Sequence, residues 1–149
     1  MTIRPARQAD VSPVRDLVRH AYSLYVDRIG RRPAPMDHDY ARKVRQGYAF
    51  VAEDRGELVG VIVLIPEPDH LLVENVAVDP GRQSEGIGRV LLAFAEASAR
   101  EAGLSTLRLY TNAAMTENLA FYPRLGYERI GSRTDNGFER VFFSKRLDA

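Results

Sequence analysis

The segment Val78-Asp79-Pro80-Gly81-Arg82-Gln83-Ser84-Glu85-Gly86-Ile87-Gly88 lies between an apolar run and the strongest helical pattern of the chain. Glycines in such a turn let N–H groups point inward and let an anion approach where a Cβ would stand. The helix start beyond it adds unpaired N–H groups and a partial positive charge. Each such contact contributes about 0.3–1 kcal/mol at a surface, so several together hold a pyrophosphate. Three phosphate loops compete for this stretch. Gly81 and Gly86 open a GxxxxG loop, but Ile87-Gly88 stand where Lys and Ser or Thr must reach phosphate and magnesium. Gly86-Ile87-Gly88 starts a GxGxxG whose third position is Leu91, and the connection from Val78 is too long for a tight dinucleotide turn. The third loop, Gln/Arg-x-x-Gly-x-Gly/Ala, reads Gln83-Ser84-Glu85-Gly86-Ile87-Gly88 here and follows Val78-x-Pro80.

Other chemistry is thin. The chain has no cysteine, which removes disulfides, thiolate metal sites and a Cys nucleophile. His20, His38 and His70 have no ligand spacing, and no Ser-His-Asp order is present, so no metal site is expected. The 149 residues are 45% apolar and 9% aromatic, enough for the core of one domain over 1–149. Nineteen Arg and two Lys balance 20 acidic residues to a net +1, which gives no support for nucleic acid or a membrane surface as partner. The start lacks an apolar signal region and no stretch nears 18 apolar residues, so the expected location is cytoplasmic.

The elements around the loop follow from periodicity. Residues 3–5 form a short edge strand. Asp10 or Ser12 caps an amphipathic helix over 11–28, with Pro13 in its first turn and Val14, Leu17, Val18, Ala21 on one face. A weaker helix spans 37–46. Strands follow at 48–53, 57–65 and 71–78, then the strongest helix at 87–102, with Leu91, Leu92, Ala95, Ala99 and Ala102 on its buried face. A strand at 106–111, a short helix at 116–125 and a hairpin of 127–134 with 138–145 close the chain, turning at Asn136-Gly137. The order βααβββαβαββ packs as an α/β mixed sheet with helices on both faces.

The loop resembles the acyl-CoA loop of the GCN5-related N-acetyltransferase (GNAT) superfamily, and Asn118-Leu119-Ala120-Phe121-Tyr122-Pro123-Arg124-Leu125-Gly126-Tyr127 is similar to that family's second signature. The element order agrees over nearly the whole chain. The resemblance implies a sheet that splays after the strand ending at Val78, with pantetheine bonded to backbone at Val76, Ala77 and Val78. It implies acetyl-CoA as co-substrate, its pyrophosphate held by the backbone of Gln83, Ser84, Glu85, Gly86, Ile87, Gly88 and Arg89. Arg82, Arg89 and Arg124 remain for further phosphate charge. Met115 stands where many relatives carry Asn, so Asn112 or Asn118 takes over that cofactor contact; Asn118 equally suits a helix cap. Homodimers are common in the family.

Two residues are then expected to act in catalysis. Acyl transfer to an amine expels a thiolate, and Tyr122, with an ordinary phenol pKa of about 10, aligns with the family's proton donor. Pro123 directly after it removes a helix hydrogen bond and is expected to kink or end the helix. An amine of pKa about 10.4 must lose a proton before it attacks. Glu74 lies among Leu72, Val73 and Val76, and alternation puts Leu72, Glu74 and Val76 on one face. A half-buried carboxylate there is a base relaying a proton through water, or a carboxylate at the sheet edge or paired with an arginine. As in the family, acceptor choice falls to 22–40 and to the loop around 133–138. There Asp37 and Asp39 suit an ammonium, whereas Arg31 and Arg32 suit a carboxylate. The expected acceptor is a small-molecule amine, with a protein or peptide amine, or acyl-CoA binding without turnover, as the alternatives.

Charge is unevenly spread beneath the near-neutral total. Residues 1–47 carry a net +5, 48–79 a net −6 and 80–149 a net +2. Acidic strands therefore lead into the loop, with arginines beyond it for an anionic cofactor.

Overall fold

The core of the chain is one seven-stranded sheet, described over residues 1–147 of a computed structural model. In chain order the elements are β1 (Thr2–Pro5), α1 (Val11–Ser23), α2 (Val26–Ile29), α3 (Tyr40–Arg45), β2 (Ala49–Asp54), β3 (Glu57–Pro66), β4 (Leu71–Val78), α4 (Ile87–Glu101), β5 (Thr106–Asn112), α5 (Thr116–Arg124), β6 (Glu128–Asp135) and β7 (Phe138–Arg146). The sheet order is β1-β2-β3-β4-β5-β7-β6. Among the described residues, only β4 and β5 pair in parallel. The expected mixed α/β architecture is present, with one extra helical turn.

That extra turn corrects the helix expected over 11–28. The Ser23 hydroxyl donates to the His20 carbonyl at 2.8 Å, and Tyr25 N–H bonds to Tyr22 O in a tighter turn. A side chain competing for helix carbonyls loosens the α-helical ladder there. The chain restarts as α2 and stops at Gly30, whose φ of 88° needs glycine. Similarly, the 37–46 helix is shorter than expected, since a 3-10 turn over Ala34–Asp37 precedes α3.

Helices cover both faces. On one, α4 lays Ile87, Leu91, Leu92, Ala95 and Ala99 onto β3, β4 and β5; Ala102 is exposed just past its end. Each buried Leu or Ile contributes about 1.5–3 kcal/mol. Close contact requires Gly60 on β3, where a Cβ would come within 3.0 Å of Leu91 and 3.2 Å of Ile87. On the other face, Val14, Leu17 and Val18 of α1 and Tyr40 and Val44 of α3 pack on Val51, Val61, Val63 and Ala77.

The parallel β4–β5 pairing holds only over Leu71↔Leu107, Leu72↔Arg108 and Val73↔Leu109. It ends where β4 bulges. Against β3, Val63 pairs with Asn75 and Leu64 with Val73, so Glu74 is the extra residue. A bulge bends its strand and raises the local twist, and here the two strands part beyond it. This corrects the expected alternation. Val73, Val76 and Val78 face the α4 side, whereas Glu74, Asn75 and Ala77 face α1 and α3.

Candidate active site

The gap between β4 and β5 holds two adjoining cavities. The larger, about 400 Å³, runs from the splayed edge of β4 to the start of α4. Val76, Ala77 and Val78 form one wall, and their backbone on the β5 side has no strand to pair with. Gln83, Ser84, Gly86, Gly88 and Arg89 form the far end.

That end is built by the loop's own sequence. The Asp79 carboxylate accepts from Gly81 N–H at 2.9 Å, and Pro80–Glu85 winds into a 3-10 turn. Gly86 then adopts φ 79° and ψ 15°, a left-handed conformation that lets α4 begin abruptly. Val90 is the first residue whose N–H returns to Gly86 O, so those of Ile87, Gly88 and Arg89 have no acceptor within α4. A Cβ on Gly88 would meet only Val78, at 3.9 Å, leaving open space above it. Glu85 and Ile87 do not line the groove: Glu85 pairs with Arg82 at 2.6 Å and the Ile87 side chain is buried in the core. Arg82 also pairs with Asp54 at 2.6 Å, so it is not a free phosphate ligand, whereas Arg89 lines the groove.

The smaller cavity, about 50 Å³, lies toward Pro33, Ala34, Pro35 and the start of β7. Glu74 borders it, with one carboxylate oxygen 3.4 Å from Lys43 Nζ and Oε1 3.6 Å from His38 Nδ1. Where pairing with an arginine was one of the alternatives to a base, the cation beside it is a lysine. Neither Oε1 nor His38 Nδ1 has a hydrogen bond among the described residues. Burial pushes the His38 pKa down, partly opposed by Glu74. Beside Glu74, Asn75 ties two helices to the strand: Tyr22 OH donates to its Oδ1 at 2.7 Å, and its Nδ2 donates to Tyr40 OH at 3.0 Å. Across the cavity, Arg140 of β7 lies over the Tyr110 ring at 4.6 Å. Arg140, Asn75 and Tyr110 are site residues that sequence reasoning did not single out.

Tyr122 borders both cavities, as do Tyr22, Val76, Met115 and Asn118. Its ring packs on Phe121, Tyr127 and Phe143 at centroid distances of 5.5–5.7 Å. Its hydroxyl makes no hydrogen bond among the described residues, and burial pushes its pKa up. Pro123 does not disrupt this. It occupies the last turn of α5, which runs one residue further to Arg124, where few intrahelical bonds remain to be lost.

Other expected residues fall elsewhere. Asn112 borders the smaller cavity rather than the groove, its Oδ1 accepting from Ala114 N–H at 2.9 Å. Asn118 does not cap α5: Met115 holds that position, and Asn118 Nδ2 donates to Thr111 Oγ1 at 3.0 Å. Asp37 pairs with Arg32 at 2.9 Å, and Asp39 caps α3 by accepting from Arg42 N–H at 3.1 Å. Arg31 stacks on Phe138 at 3.5 Å and donates to the Asn136 carbonyl. All four thus have partners within the chain. Arg124 borders neither cavity.

Among the described residues, no group of three His, Asp or Glu side chains could hold a metal ion, and no helix is long and apolar enough to cross a membrane.

The family model of the "Acetyltransferase (GNAT) family" matches residues 13–127, most of the chain and the whole of the groove. The chain belongs to the GNAT family. It is 32% identical over 143 residues to the aminoalkylphosphonate N-acetyltransferase of Salmonella typhimurium, covering 83% of this chain and 91% of that one. It is also 33% identical over 88 residues to N-acetyltransferase family 8 member 3 of Rattus norvegicus, covering 55% of this chain. That match spans only 39% of the rat protein, and the one to a mycothiol acetyltransferase of Thermomonospora curvata spans 27% of it. The PaiA N-acetyltransferase of Thermoplasma acidophilum, crystallised with coenzyme A, shares the GNAT fold with TM-score 0.83 over 98% of both chains at 17% identity.

Proposed function

We propose that this GNAT chain transfers an acetyl group from acetyl-CoA to a small-molecule primary amine, directly, with both substrates bound together. The observation that carries the reading is the meeting of the two cavities at Tyr122. The groove fits coenzyme A chemically. Unpaired N–H groups at the start of α4 suit a pyrophosphate, and the unpaired edge of β4 suits the amides of an extended pantetheine arm. Val76, Ala77, Val78, Gln83, Ser84, Gly86, Gly88 and Arg89 would hold it, with Asn118 at the reacting end.

Acetyl-CoA supplies the acetyl group as a thioester. The amine nitrogen bonds to the carbonyl carbon, the carbon–sulfur bond breaks, the nitrogen gives up a proton and the sulfur gains one. Tyr122, kept protonated by its burial, donates that last proton. Glu74, at the acceptor side, receives the nitrogen's proton directly or through water.

A small acceptor is favoured over a peptide. Arg31 stacked on Phe138 and bonded to Asn136 joins 22–40 to 133–138, where an open groove would be needed for a chain to lie. The Salmonella relative, named for aminoalkylphosphonates, agrees with a small amine. The test is thiol release from acetyl-CoA across amines, polyamines, amino acids and N-terminal peptides. Turnover with small amines is expected. Turnover with peptides alone would reverse the acceptor class, and tight coenzyme A binding without any turnover would leave a binding module.

A further inference from the structure

We propose that the acceptor amine also carries an oxyanion, a carboxylate or phosphonate a few bonds from its nitrogen, and that Arg140 grips it. This rests on the acetyltransferase reading above. The side chain of Arg140 is 17% exposed, the same as that of Arg4. Arg4 at that burial donates hydrogen bonds to two carboxylates, Asp10 and Glu53. Arg140 donates none among the described residues. Its nearest carboxylate, Asp135, is 3.6 Å away and already bonded to Arg133 at 2.7 Å. A guanidinium presents five N–H donors in a planar fork, and those of Arg140 meet no hydrogen-bond acceptor among the described residues, so they are open to a ligand in the cavity. The Tyr110 ring, whose centroid is 4.6 Å from Cζ, holds the group in place, and its planar fork suits bidentate contact with an oxyanion.

The surroundings fit the same ligand. Asn112 stands opposite Arg140 in the β5–β7 register, and with its Oδ1 used by Ala114 its Nδ2 is free to donate to the same anion. Among the described residues lining this cavity, Glu74 and Arg140 are the two that carry charge. One carboxylate and one guanidinium lining the same small cavity match an amine at one end and an anion at the other. Arg140 does not border the coenzyme groove, so the cofactor's phosphates are not its partner.

The experiment compares kcat/KM for thiol release with β-alanine and 2-aminoethylphosphonate against propylamine, in the wild type and in Arg140→Gln and Arg140→Lys. Anionic acceptors should exceed propylamine at least tenfold, and the higher of the two arms identifies the oxyanion. Arg140→Gln should raise KM for the anionic acceptor about 10–100-fold, leave KM for acetyl-CoA unchanged and bring the preference close to one. Arg140→Lys, which keeps the charge but not the fork, should restore part of it. Propylamine used as well as the anionic amines, or a preference that survives Arg140→Gln, overturns the assignment. No thiol release with any amine or peptide overturns instead the acetyltransferase reading beneath it.

Discussion

Replacing Tyr122 with phenylalanine separates chemistry from folding, because the structure gives its ring and its hydroxyl different work. The ring is wedged among Phe121, Tyr127 and Phe143, and phenylalanine keeps every one of those contacts. The hydroxyl has no hydrogen-bond partner among the described residues, so removing it orphans no protein group. Melting should therefore stay within about 1 kcal/mol of wild type or rise slightly. In the proposed mechanism the same oxygen supplies the proton that leaves with sulfur, and losing a general acid lowers kcat by about 10²–10⁴. That is about 2.7–5.5 kcal/mol at 1.36 kcal/mol per decade. Acetyl-CoA affinity should not change, since the pyrophosphate end of the groove is built by the loop after β4. Thiol-release kinetics, equilibrium coenzyme A binding and a melting curve on one preparation check all three. The pH profile gives a further sign: burial pushes the phenol above its ordinary value of about 10, so its ionisation should not limit kcat below that pH. A kcat within threefold of wild type, or weakened coenzyme A binding at unchanged kcat, would refute the proton-donor role.

Three further outcomes test the scaffold. Gly88→Glu puts bulk and negative charge where pyrophosphate should lie while its Cβ meets only Val78 at 3.9 Å, so coenzyme A affinity should fall about 100-fold or more with melting little changed; unchanged affinity would remove the loop from the binding site. Gly60→Val forces a branched side chain to within 3.0 Å of Leu91, and overpacking of that kind should cost about 1–3 kcal/mol, visible in chemical denaturation. Arg4 beside Asp10 holds that carboxyl below the usual range, so the stability it contributes is full above the unfolded value of about 3.9 and is lost as pH falls through the lower folded value. Asp10→Asn should melt lower at neutral pH and lose stability less steeply on acidification, and parallel pH–Tm curves for the two proteins would contradict it.

The parts of the site that a short stretch of chain builds by itself were legible in the sequence. The glycine loop is one: spacing between Gly86 and Gly88, an Asp-Pro start and a long amphipathic helix behind it are all local, and the folded turn uses each of them. The Asn136-Gly137 hairpin is another. What failed to show depends on partners distant in sequence. Strict alternation assigned Glu74 and Val76 to one face, since nothing within 71–78 announces a bulge; the register is set against β3. Asp39 reads as an ammonium ligand until its side chain is seen capping α3, and Asp37 until Arg32 takes it. Arg140 does carry a local signal. On a strand beginning at Phe138 it shares a face with Phe138 and Phe142, and two aromatics flanking an arginine at alternate positions mark a face that is neither plain core nor plain surface.

The single extra residue in β4 accounts for much of this site. Without a bulge, residues 73–78 would continue to alternate, and a regular β4 could keep pairing with β5 beyond Val73. With Glu74 inserted, the ladder ends at Val73↔Leu109, which leaves the backbone of 74–78 unpaired on one side. The same insertion turns Glu74 and Asn75 together toward α1 and α3, placing a carboxylate and an amide beside Tyr22 and Tyr40. It also returns Val76 and Val78 to the α4 side, so the groove wall stays apolar. The unpaired strand edge along the groove and the carboxylate bordering the smaller cavity thus share one local cause. The arginines do not. They reach the two cavities from separate elements, Arg140 on β7 and Arg89 at the start of α4, so in the proposed reaction the anion at each end is chosen by a different part of the chain.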